Sequence, residues 1–110
     1  MKSVIALTLA LAATVSADAV TVGFSNGAQK NYKTCSFSTD DASHSVGVMC
    51  GSNNLLATSA QLTNVPAGIN CTITNRADVI GTLTEENTYA DFPGSEPINL
   101  SSGGRIRCSI

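Results

Sequence analysis

The chain has no tryptophan, so the commonest platform for stacking a sugar ring is missing. Tyr32 and Tyr89 remain as aromatic side chains for a sugar-binding face, against the competing reading that both are structural; Phe24 and Phe37 read as core. Histidine occurs once, at His44. A triad with Asp40 or Asp41 and a serine lacks any nucleophile-elbow pattern around the serines, and His44 reads as a solvated residue of a polar turn. A cation site at Asp40, Asp41 and His44 is short of ligands. Positive charge is sparse: beyond Lys2 the cations are Lys30, Lys33, Arg76, Arg105 and Arg107, and only the last two adjoin. With no basic stripe to release counterions from phosphates, nucleic acid is excluded as a partner, and an anionic membrane surface with it. No cofactor motif occurs, no repeat of solenoid period, no heptad, and no second long apolar run that would anchor the chain.

What is present begins with the N-terminus. Met-Lys-Ser is followed by an uncharged apolar run from Val4 to Val15 and then Ser16-Ala17-Asp18-Ala19. This is the basic, apolar and small-residue order of a secretory signal peptide, with cuts after Ala17 or Ala19 both fitting the small-residue rule. The run is too short to span a membrane, and it is apolar all round, which a small domain cannot bury. The expected organisation is a signal peptide over residues 1–19 and a single β domain over 20–110, secreted to the extracellular space. A domain of about 90 residues buries a thin core and often needs covalent support.

Four cysteines supply it: Cys35, Cys50, Cys71 and Cys108. Their spacings are far wider than the close pairs of zinc sites, and an even count in an exported chain reads as two disulfides. Each lies in alternating apolar sequence: Cys35 with Phe37, Cys50 with Val46 and Val48, Cys71 between Ile69 and Ile73, Cys108 between Ile106 and Ile110. Period-two alternation points all four sulfurs into the core from strands. Pairing stays open. Cys35–Cys50 with Cys71–Cys108 follows if residues 35–50 form a strand, turn and return strand; Cys35–Cys71 with Cys50–Cys108 would instead join two sheets. The sequential pairing is slightly preferred.

The remaining chain reads as short strands between turns. Val20–Ser25 alternates ahead of Asn26-Gly27, which suits a type I′ hairpin turn. Residues 29–33 form a polar edge strand guarded by Lys30 and Lys33. Strands follow over 34–39, 45–50, 61–65, 69–74, 79–84, 88–92, 98–100 and 105–110, the last with Ile106, Cys108 and Ile110 inward and Arg105, Arg107 and Ser109 outward. No segment shows helical apolar spacing with caps. The fold class is all-β: a small antiparallel β-sandwich or barrel with two disulfides.

Residues 85–104 are polar and hold Glu85, Glu86, Tyr89, Asp91 and Glu96. As paired carboxylates for glycoside hydrolysis they would need a cleft, for which so small a domain has little room. As a recognition loop they suit a binding scaffold, although an ordinary long connection has the same composition. Asn70-Cys71-Thr72 and Asn99-Leu100-Ser101 match the N-glycosylation acceptor pattern. Asn99 is the favoured site, because Asn70 adjoins a cysteine that must also form a disulfide.

The signal-like residues 1–19, the short remaining chain, the four spread cysteines and the lack of an enzymatic signature together resemble fungal small secreted cysteine-containing proteins of the effector-like class. That resemblance implies a host-facing or environment-facing binding role and no catalysis. The expected function is a secreted, monomeric, non-enzymatic protein that binds an extracellular protein or glycan and uses no cofactor. The alternatives are an inhibitor of an extracellular hydrolase, acting through the 85–104 loop, and a very small secreted hydrolase.

Overall fold

Val20, Val22 and Phe24 sit at alternate positions of one strand, and all three are fully buried. They belong to β1 (Ala19–Asn26), the start of a computed structural model that describes residues 19–27 and 29–110. The expected signal segment, apart from Ala19, lies outside these residues. β1 pairs antiparallel with β2 (Gln29–Ser38), so that Val22 faces Cys35 and Val20 faces Phe37 on the inner side. The edge segment and the strand expected after it are thus one continuous strand. The hairpin differs by one residue from the Asn-Gly expectation: Asn26 still pairs with Gln29, and Gly27 takes the positive φ of 58° just beyond it. Lys33 lies opposite Phe24, half-buried at the sheet edge, where a charge discourages an added strand. The side chain of Lys30 lies outside the described set.

Eight further strands follow: β3 (Ser43–Ser45), β4 (Leu56–Ala57), β5 (Ser59–Leu62), β6 (Asn70–Asn75), β7 (Asp78–Thr84), β8 (Tyr89–Asp91), β9 (Ile98–Asn99) and β10 (Gly104–Ser109). They build two four-stranded antiparallel sheets, ordered β2-β1-β5-β8 and β3-β10-β6-β7, with β4-β9 as a small third pair. Inward residues of both sheets share one core, in which Phe24 and Phe37 meet edge to face with ring centroids 6.3 Å apart. The molecule is therefore an antiparallel β-sandwich with two disulfides, Cys35–Cys50 and Cys71–Cys108. Among the described residues no helix is long and apolar enough to cross a membrane.

The pairing is the sequential one, but the first bridge is built differently from the expectation. Residues 46–50 are not a return strand. They form a short helix, α1 (Val46–Cys50), with the Ser45 hydroxyl accepting from the Val48 amide at its start. At its end Gly51 takes φ 64°, and the Gly51 and Ser52 amides return to the Val48 and Gly47 carbonyls, as in a Schellman cap. The apolar spacing fits both periods. A strand would bury Val46, Val48 and Cys50; the helix buries Val46 and Cys50, four apart, and leaves Val48 77% exposed. Cys50 then reaches Cys35 across the sandwich, with Cα atoms 5.2 Å apart, so this bridge links the edge strand of one sheet to the helix that leaves the other. Cys71 and Cys108 are direct cross-strand partners in β6 and β10, Cα atoms 4.1 Å apart.

Three smaller expectations are also corrected. His44 belongs to β3 and not to the turn before it. The strand expected over 61–65 runs from Ser59 to Leu62, with Val65 exposed beyond it. Ile110 is 58% exposed rather than inward, because β10 ends at Ser109. The close turn into β10 depends on Gly104. A Cβ there would lie 2.5 Å from the Leu100 carbonyl oxygen, a backbone atom that cannot swing aside.

Candidate binding face on the second sheet

Antiparallel pairing sets the outward residues of β10 beside those of β6. Arg105 lies opposite Thr74, Arg107 opposite Thr72, and Ser109 opposite Asn70. On the other side of β10, Arg107 lies opposite Ser43 of β3. The inward residues between them, Ile106, Cys108, Cys71 and Ile73, are buried at 0–1% exposure. One pleated surface therefore carries hydroxyls, an amide and two guanidinium groups outside and only core inside. It is concave. An open groove of about 510 Å³ runs over it, lined by Asn70, Thr72, Thr74, Arg105, Arg107 and Ser109, with Asp41 and Ser43 on the β3 side.

The two arginines are held differently. The Arg107 Nε donates to Asp41 Oδ1 at 2.9 Å, and this bond raises the Arg107 pKa above its ordinary value. Asp41 is itself fixed: it takes φ 61°, and its amide donates to the Cys108 carbonyl at 2.8 Å. Arg105 has no carboxylate partner among the described residues. Its Nε donates to the Ser43 hydroxyl at 2.7 Å and its Nη2 to the Ser43 carbonyl at 3.0 Å, both diagonal contacts across the strand pair. Its other terminal nitrogen, Nη1, makes no hydrogen bond within the described residues.

Of the candidates named from sequence, Asn70 and Thr72 lie in this groove, Asn70 exposed. Asn99 is half-buried on β9. Its side-chain oxygen accepts from the Ser101 amide at 3.0 Å, while the Ser101 hydroxyl donates to the Ser52 carbonyl and accepts from the Leu55 amide. That sequon is thus woven into the β4–β9 joint. The 85–104 segment is divided by β8 and β9. Glu85 accepts from the Gly68 amide at 3.0 Å, on the turn before β6. Tyr89 and Asp91 meet on β8, in the first sheet, through a 2.8 Å hydrogen bond, and Glu86 and Glu96 are exposed. Tyr32 is half-buried against the core and donates its hydroxyl to the Leu56 carbonyl; burial pushes its pKa up. Neither tyrosine reaches the groove.

His44 and Asp40 do come together, with Nε2 3.0 Å from Oδ1. Asp41, turned to Arg107, does not join them, and no hydroxyl lies within hydrogen-bonding distance of the ring among the described residues. The His44 hydrogen bond holds the exposed Asp40 carboxyl below its ordinary pKa. A carboxyl depressed in the folded state contributes stability above its unfolded pKa, and that contribution is lost as pH falls through the folded value. His44→Gln should therefore return the Asp40 pKa toward the ordinary carboxylate range in an NMR pH titration of side-chain carboxyl shifts. An unchanged Asp40 pKa would show that the pair does not persist in solution.

The residues missed at the sequence level are Ser43, Thr74, Arg105, Arg107 and Ser109. The outward parity of Arg105, Arg107 and Ser109 was readable on β10, but the common face of all five depends on which strands flank it. In comparison with known proteins, no family model, no curated protein and no solved structure matches the chain.

Proposed function

We propose that the protein is a secreted, non-enzymatic binding domain that engages an extracellular protein or glycan through the groove on the outer face of the second sheet. The observation that carries this reading is the groove itself: a concave surface on three hydrogen-bonded strands, lined by polar side chains that β10, β6 and β3 hold in fixed register. A site on paired strands is more rigid than one on loops, and rigidity lowers the ordering cost of binding. Two disulfides in a small domain are compatible with an oxidising extracellular location, and the signal-like N-terminus supports export. The resemblance to fungal small secreted proteins supports the same effector-like, outward-facing role.

The inhibitor alternative uses a different surface, Tyr89 and Asp91 on β8, so the two readings separate by mutation. Wild type, Thr74→Trp and Tyr89→Ala are compared on arrays of extracellular polysaccharides and peptides. Thr74→Trp fills the groove and should abolish whatever binding wild type shows, while Tyr89→Ala should retain it. The reverse pattern would assign binding to the first sheet. No retained ligand on any array would count against the binding reading as a whole.

A further inference from the structure

We infer that the occupant of the groove is an acidic polysaccharide segment, one whose sugar units carry carboxylates, with Arg105 as the residue that grips a carboxylate. The inference rests on the binding reading above and narrows it to a ligand class.

Charge gives the first argument. The chain carries a net charge of −2, yet the groove holds two arginines against one aspartate. Asp41 answers the charge of Arg107, and nothing within the described residues answers that of Arg105. Ser43 fixes the Arg105 guanidinium through two hydrogen bonds and leaves Nη1 unpartnered. A planar, pre-positioned guanidinium with donors to spare matches a carboxylate better than a neutral hydroxyl.

The lining gives the second. A peptide is recognised through a free strand edge or through apolar pockets for anchoring side chains. The two central strands of this face, β10 and β6, are paired on both sides, so they offer no main-chain edge. The groove has no aromatic side chain, and its one aliphatic residue, Ile106, is turned into the core. What it offers is a row of hydroxyls and an amide from Thr72, Thr74, Ser109 and Asn70. That suits the many donors and acceptors of a sugar chain. Without an aromatic platform, orientation must come from a charged group, which an acidic sugar supplies.

The test is titration of the isotope-labelled, disulfide-intact protein by NMR with three probes: oligogalacturonate, the same oligomer methyl-esterified at its carboxyls, and oligoglutamate. Oligogalacturonate should shift amides of β10, β6 and β3, with affinity falling as salt rises. The neutral ester should bind much more weakly. Arg105→Gln should weaken oligogalacturonate binding roughly tenfold or more, the weight of one charge-assisted hydrogen bond, and Arg105→Lys should recover part of it. Unchanged amide shifts outside the groove establish that both variants fold. Equal binding of the ester would overturn the acidic-ligand inference while leaving the groove as a binding face. Tighter binding of oligoglutamate would overturn the saccharide assignment. No groove shift with oligogalacturonate would overturn the inference outright, and the array comparison of Thr74→Trp then decides the broader reading on its own.

Discussion

Replacing Cys71 and Cys108 together by alanine should destabilise the domain by about 4 kcal/mol, the largest effect expected of any single bridge. The two residues are 37 apart in sequence, and the chain-entropy model for a loop of that length gives about 4 kcal/mol of denatured-state restriction. Cys35–Cys50 spans only 15 residues, for which the same model gives about 3 kcal/mol. Small domains hold roughly 5–15 kcal/mol in total, and one this short has a thin core, so either loss is a large share. Both sulfurs of the longer bridge are also fully buried, and two alanines fill less of that space. Urea unfolding of the wild type and of the two double variants measures the order directly. Cys71→Ala with Cys108→Ala should have the lower midpoint. If removing Cys35 and Cys50 proves the more damaging, the seat of α1 against the sandwich matters more to stability than loop length.

Phe24→Ala is the second large effect, at roughly 3–5 kcal/mol. Phe24 is fully buried in the central strand β1, with β2 on one side and β5 on the other, and stacks edge to face on Phe37 at 88° between ring planes. The cost has two parts. One is transfer and cavity formation in a close-packed core of buried side chains that cannot collapse far. The other is the aromatic pair, worth about 0.5–1.5 kcal/mol beyond area. A double-mutant cycle with Phe37→Leu separates them. Phe24→Leu keeps most of the volume and should cost much less than Phe24→Ala. Similar losses for the two substitutions would show that ring contact, and not filled volume, dominates at this position.

The parts of the fold legible in sequence were those set by local alternation. Ile106 and Cys108, and Cys71 and Ile73, are inward on β10 and β6 as their period of two requires, while Arg105, Arg107 and Thr72 face out. Parity fails where both periods fit, as at Val46, Val48 and Cys50. There the decision fell to Ser45 and Gly51, a helix cap at each end of five residues. Turns were legible as breaks between alternating segments, with or without glycine: the gap between the expected strands 69–74 and 79–84 is the β6–β7 hairpin turn. Its conformation was not legible: the turn runs on Arg76 and Ala77, both at positive φ (53° and 76°), which non-glycine residues adopt uncommonly and which the two-residue connection between paired Asn75 and Asp78 imposes here.

The groove was legible only in fragments, for a topological reason. β10 is the last strand, yet it lies between β3 and β6, the first and second strands of its sheet in chain order. Nothing local in residues 104–109 names those neighbours. Asn70 and Thr72 read as a sequon, and Arg105 and Arg107 as an isolated pair. Only long-range pairing makes them one surface. The 85–104 segment, in contrast, drew attention by composition, and the fold distributes its residues over β8, β9, the connections around them and the first residue of β10.

The binding face exists only if β10 runs beside β6 with Arg107 opposite Thr72, and that register places Cys108 directly opposite Cys71. Disulfide mapping therefore tests the face itself. The non-reduced protein is digested between its cysteines, and the linked peptides are identified by mass spectrometry. The expected result is one linkage joining Cys71 to Cys108 and another joining Cys35 to Cys50. A linkage of Cys35 to Cys71, with Cys50 to Cys108, would contradict the register, and with it the groove that β3, β10 and β6 form.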